Sequence, residues 1–129
     1  MNRRNCLQTM LAAAAPAAAQ PQAGKPIQLH VDLAVEPTKE KEMLQIFRNT
    51  FRPTAAKQPG FIDVKIIKLR SVLQGQAPAG ANYRFLLTFQ SEELRQKWVS
   101  SKEHLRVWPM MENTLSSKNY TVLLYDVVA

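Results

Sequence analysis

Ile27, Leu29, Val31, Leu33 and Val35 alternate with Gln28, His30, Asp32, Ala34 and Glu36. Apolar residues at every second position over such a run predict a half-buried β-strand. Beyond Pro37 the period becomes helical. Met43, Phe47 and Phe51, with Leu44 and Ile46 beside them, form one apolar stripe. Thr38 is of the type that caps a helix, and Glu40 and Glu42 in the first turn suit the positive end of its dipole. Pro53 limits this helix, with residues 54–57 able to add a turn.

Pro59-Gly60 marks a turn, and Phe61 to Leu69 reads as a second strand. Ile62, Val64 and Ile66 share one face, whereas Ile67 and Leu69 put apolar groups on the other. Either a bulge shifts the phase or both faces are buried at that end. Residues 71–81, with Gly75, Pro78 and Gly80, form an irregular connection. Tyr83, Phe85, Leu87 and Phe89 then mark the inner face of a third strand, with Arg84, Leu86 and Thr88 turned away. Ser91 before Glu92-Glu93 starts a short helix that ends near Trp98. Ser100 and Glu103 are spaced as a capping box and predict a fresh helix there. Its stripe runs through Leu105, Trp108, Met111 or Glu112, and Leu115, with Pro109 expected to kink it. Tyr120 to Val128 is the last strand, apolar on both faces.

The order β-α-β-β-α-β predicts an α+β, ferredoxin-like protomer with a four-stranded antiparallel sheet. Two helices cover one sheet face. The other carries Ile67, Leu86 and either Leu123 with Val127 or Val122 with Leu124. Such a face needs a partner, and a second copy related by a two-fold axis is the economical one, which would make a dimeric α/β barrel.

Residues 1–19 read as an export signal. Arg3-Arg4 precede an Ala-rich run, Leu11 to Ala15, and Ala17-Ala18-Ala19 suits a cleavage site. The segment resembles the twin-arginine type, so delivery to the periplasm or cell exterior after removal of 1–19 is the expectation. Residues 20–26 are then a Pro/Gln/Gly linker and 27–128 the folded domain. Cys6 is the sole cysteine and departs with the signal, which removes disulfides, thiol nucleophiles and Cys-ligated metals from the domain. No stretch reaches the about 18 apolar residues of a membrane span. The formal charge of +7 includes Arg3 and Arg4. The remaining basic residues are interspersed with acids, as on a solvated surface, and no nucleic-acid partner is expected. The RNA-recognition module shares this element order, but the run Asn82 to Phe89 has its aromatics without its glycines.

Several motifs resemble the antibiotic-biosynthesis monooxygenase family, whose members are dimeric α+β barrels with ferredoxin-like protomers. They are Gln58-Pro59-Gly60-Phe61, Tyr83-Arg84-Phe85, the run Phe89-Gln90-Ser91-Glu92-Glu93 leading to Trp98, and Ser101-Lys102-Glu103-His104-Leu105. The resemblance covers 27–128. It implies a ligand pocket between sheet and helices. The implied activity is monooxygenation of a small aromatic or quinol-like molecule by O2 without a bound cofactor. The same fold also serves as a non-catalytic ligand-binding or sensing dimer. Haem is the one cofactor the resemblance leaves open: Trp98 matches a Trp of the haem-degrading members. Trp108 stands where those members place a His ligand, and the first strand lacks their Asn.

His104 is the candidate catalytic base, since an imidazole can deprotonate a phenol or quinol before oxygen attacks. Phe47, Phe51, Phe85, Trp98 and Trp108 are candidate substrate-binding residues, able to stack on a flat ring and equally able to serve as core. His30 falls on the polar phase of the first strand, away from the helices, and reads as structural. With the two histidines on opposite sides of the sheet, no metal site is expected.

Overall fold

The computed structural model describes Lys25–Ala129, so the expected export signal and most of the expected linker lie outside the described residues. Four strands form one antiparallel sheet: β1 (Ile27–Leu33), β2 (Phe61–Lys68), β3 (Tyr83–Phe89) and β4 (Thr121–Asp126). Their order is β2-β3-β1-β4, the ferredoxin-like arrangement. The helices are α1 (Glu40–Ile46), α2 (Arg52–Ala55), α3 (Glu92–Val99) and α4 (Lys102–Glu112).

The core lies between the sheet and these helices. Tyr83, Phe85, Leu87 and Phe89 point into it from β3. Opposite them pack Met43, Phe47, Phe51, Trp98, Val107 and Met111, all buried. Leu105, expected on the α4 stripe, is 64% exposed instead. The buried line is Val107, Met111 and, past the helix end, Thr114, because Trp108 turns partly out of the core. α4 runs on through Pro109, an exposed position where water can serve the carbonyl that lost its partner.

Local chemistry moved several boundaries. Thr38 caps nothing: Pro37 starts a 3-10 turn, Pro37–Lys39, and α1 begins behind it without a side-chain cap. β1 ends at Leu33, yet the Asn82 side chain prolongs its edge. Its Oδ1 accepts from the Val35 N–H at 2.8 Å and its Nδ2 donates to the Val35 carbonyl at 3.0 Å. Between α1 and α2 the chain widens into a π turn, Phe47–Phe51, where the Arg52 N–H reaches back to the Phe47 carbonyl. The wide turn stops just short of Pro53, whose ring would strike the Asn49 carbonyl in a regular helix.

The bulge in β2 sits at its start, between Phe61 and Asp63. It extrudes Ile62 to solvent and sets Phe61, Val64 and Ile66 toward the helices, so Ile62 does not share their face. On the far side of the sheet the register joins His30 to both Leu86 and Leu123. Leu123 and Tyr125, not Val122 and Leu124, therefore share the uncovered face with Leu86 and Ile67. That face is less apolar than expected. Arg84 donates to Asp32 at 2.7 Å, Gln28 bonds Thr88, and His30 Nε2 lies 2.7 Å from Gln28 Oε1 with its ring against Tyr125.

Candidate functional site

The helix pair α3–α4 builds one wall of a cavity, and the Ser101 hydroxyl bonds to both helices. Ser91 caps α3 by accepting from the Leu94 N–H. Ser100, expected to cap α4, instead closes α3, its hydroxyl lying 3.2 Å from the Gln96 carbonyl. The cap falls to Ser101, which accepts from the His104 N–H at 3.1 Å and donates to the Trp98 carbonyl at 2.6 Å. Trp98 and His104 are thereby fixed relative to each other, with ring centroids 5.0 Å apart and edge to face.

The cavity has a volume of about 210 Å³. Leu29, Val31, Phe85 and Leu87 form its sheet wall, and Val122 of β4 its flank. Phe51, at the end of the π turn, meets Phe85 at 5.3 Å, Trp98 at 5.9 Å and Trp108 at 5.9 Å, each ring tilted steeply against it. The His104 ring lies nearly parallel to Trp108 at 6.3 Å. Aromatic faces and edges thus surround a space suited to a flat apolar body.

Three polar groups break this lining: His104, Arg95 and Tyr120. His104 Nδ1 is buried with no hydrogen-bond partner. Burial foremost, and then the Arg95 charge, hold its pKa below the usual imidazole value against an opposing pull from Glu112. Arg95 is clamped from one side by Glu92, its Nε and Nη2 donating at 2.6 and 2.7 Å. Tyr120 accepts from Trp108 Nε1 at 3.0 Å and donates to Glu112 Oε2 at 2.6 Å. Burial and then the Glu112 bond raise the phenol's pKa, so the hydroxyl keeps its proton.

Of the residues named from sequence, His104, Phe51, Phe85, Trp98 and Trp108 line this one cavity. Phe47 does not. It is buried a layer out, with its ring stacked on Phe51 at 6.1 Å, and is a core residue. His30 lies across the sheet from His104. Arg95 and Tyr120 were missed. Arg95 had a readable signal, because Arg95, Trp98 and Val99 fall at i, i+3 and i+4 on one face of α3. Among the described residues no group of three or more His, Cys, Asp or Glu could hold a metal ion. A more polar recess of about 290 Å³ lies by residues 71–78, but Asp32 and Arg84 in its wall are already paired with each other.

No family model matches this sequence, and no curated protein matches it either. Solved structures do. A candidate antibiotic biosynthesis monooxygenase from Caulobacter crescentus superposes with a TM-score of 0.64 at 18% identity, over 82% of this chain and 92% of that one. SnoaB, a cofactor-independent oxygenase from Streptomyces nogalater, gives 0.59 at 14% identity over 82% and 96%. A hydroxynitrile lyase from Passiflora edulis gives 0.66 at 13% identity over 81% and 94%. A dimeric ferredoxin-like protein of unknown function from Jannaschia sp. gives 0.63 at 17% identity over 81% and 99%. At these identities the likeness establishes the fold, which here carries more than one chemistry.

Proposed function

We propose that this protein is a monooxygenase that oxidises a small aromatic hydroxyl compound, quinol-like in character, with O2 and no bound cofactor. The observation that carries the reading is the unpartnered Nδ1 of His104 in an aromatic cavity. A lowered pKa keeps that imidazole neutral at neutral pH, ready to take the substrate's hydroxyl proton. The resulting phenolate delivers electrons to O2. One oxygen replaces a ring hydrogen as a carbonyl. The other leaves as water with the hydroxyl proton and that ring hydrogen, so the phenol becomes a quinone and O2 is fully reduced. The apolar walls exclude bulk water from the intermediate.

At about 210 Å³ the cavity is smaller than the pockets of roughly 300 Å³ and upward that hold drug-sized ligands, which favours one or two rings. The same size, and the engagement of Trp108 with Tyr120, argue against a haem. Fold neighbours named as monooxygenase and cofactor-independent oxygenase support the reaction class. The functional unit in this reading is a homodimer through the uncovered sheet face, where Ile67, Leu123 and Tyr125 are 45%, 40% and 48% exposed; the dimeric neighbour agrees. Residues 1–19 direct it out of the cytoplasm and are removed.

Oxygen uptake with a panel of quinols tests the assignment. His104→Ala should lower kcat/KM on the order of a hundredfold or more. His30→Ala, on the other sheet face, should not. Equal activity in both variants removes His104 from the chemistry. No uptake by the unmodified protein leaves a ligand-binding dimer.

A further inference from the structure

We propose that Arg95 selects the charge of the ligand: the cavity takes an aromatic oxyanion, and the Arg95 guanidinium is its counterion. This rests on reading the cavity as the site for an aromatic hydroxyl compound.

A guanidinium offers five N–H donors in a planar fork. Glu92 uses one on Nε and one on Nη2, along a single edge. The other edge, with both N–H of Nη1 and the second of Nη2, is not spent on Glu92. The side chain is only 17% exposed and lines the cavity. Glu92 therefore aims the fork without using it up, and Gln96 Nε2 steadies the same carboxylate at 2.9 Å. An anion on the free edge meets N–H dipoles, with the balancing carboxylate held on the far side.

The other groups around the cavity sharpen this assignment. Glu112 of α4 accepts the hydrogen bond of the Tyr120 hydroxyl, so that proton is committed and not offered to a ligand. The Trp108 N–H is committed to Tyr120. Arg95 is the cation among the lining residues, and His104 is a neutral acceptor beside it. A neutral phenol could donate to the buried Nδ1 and accept from the free guanidinium edge, but it would bring no negative charge to that edge. An ionising phenol serves both, giving its proton to the imidazole and its charge to the guanidinium.

The test uses 4-nitrophenol, whose ionised form absorbs visible light, and 4-nitroanisole, its methyl ether of nearly the same shape. The protein should bind 4-nitrophenol as the phenolate, lower its apparent pKa by a unit or more, and hold it on the order of tenfold to a hundredfold more tightly than the ether. Arg95→Gln should erase the preference while 4-nitroanisole affinity stays the same. Arg95→Lys should keep part of it. Equal affinity for the two probes, binding of neither, or a preference that survives Arg95→Gln overturns the inference. Oxygen uptake separates it from the reaction: charge-selective binding without turnover keeps Arg95 and loses the oxygenase, and full turnover in Arg95→Gln does the reverse.

Discussion

Gly60 should tolerate no side chain, because two independent obstacles meet at this residue. Its φ of +86° lies in the left-handed region, where a Cβ costs about 1–2 kcal/mol. A Cβ built there would also stand 2.5 Å from Leu94 Cδ1, 2.9 Å from Leu94 Cβ and 3.2 Å from Leu94 Cγ. Rotating Leu94 can move its Cδ1 but not its Cβ, which is fixed by the α3 backbone. The helix must retreat or the turn must open, and overpacking of that kind costs about 1–3 kcal/mol. Gly60→Ala should therefore destabilise the fold by about 2–5 kcal/mol.

Urea unfolding followed by circular dichroism reads this directly. With an m-value of about 1–3 kcal/mol/M, the midpoint should fall by on the order of 1–2 M while m stays constant. A double-mutant cycle separates the obstacles. Leu94→Ala removes Cδ1 and Cγ but leaves Cβ, so Gly60→Ala in that background should cost about 1 kcal/mol less than alone. A change within about 0.5 kcal/mol for Gly60→Ala, or strict additivity in the cycle, would refute the reasoning. Where the helix is what yields, the consequence reaches the cavity as well, since α3 carries Arg95 and Trp98.

Leu86→Lys places a charge between His30 and Lys65 on the uncovered sheet face and should convert a dimer into a monomer at micromolar concentration in sedimentation velocity; an unmodified protein that is monomeric would end the dimer reading. Arg3→Lys with Arg4→Lys should strand the precursor in the cytoplasm, and unchanged delivery in fractionated cells would point to another export route or none. His30 and His104 both have folded pKa values below 6.5, caused first by burial. Below pH 6.5 the unfolded chain therefore binds more protons than the native one, so stability should be complete above that pH and fall as pH drops toward the folded values. His104→Gln should flatten that slope in urea titrations, whereas the carboxylate-dependent loss from Glu92, whose pKa is held low by Arg95, should remain at still lower pH.

The sheet was legible because its signals are redundant. Each turn of alternation in β1 and β3 repeats the same instruction, and a one-residue slip would expose the whole set. Where one residue decides, the sequence was ambiguous. The bulge at Phe61/Asp63 and the choice between Ser100 and Ser101 each depend on tertiary contacts that no local pattern contains. The aromatic walls of the cavity were legible for the same reason as the core, since they are the core. Arg95 was hidden because an i, i+3 pair with Glu92 looks like surface decoration, and Tyr120 because its partners Trp108 and Glu112 belong to α4 and not to the segment entering β4.

The cavity exists because the core is interrupted there by residues that cannot pack as hydrocarbons do. The π turn carries Phe51 to a position where it touches three other aromatic rings. Flat rings meeting edge to face fill space less completely than interdigitated aliphatic chains. Leucine at Trp98 or Trp108 would remove a cavity wall and its N–H together. Each polar intrusion is also tied to a carboxylate on its far side, Arg95 to Glu92 and Tyr120 to Glu112, except His104. His104 Nδ1, like His30 Nδ1 on the other sheet face, is buried without a hydrogen-bond partner, an expense the fold does not need for stability. In the proposed reaction the His104 nitrogen is the one that takes the ligand's proton.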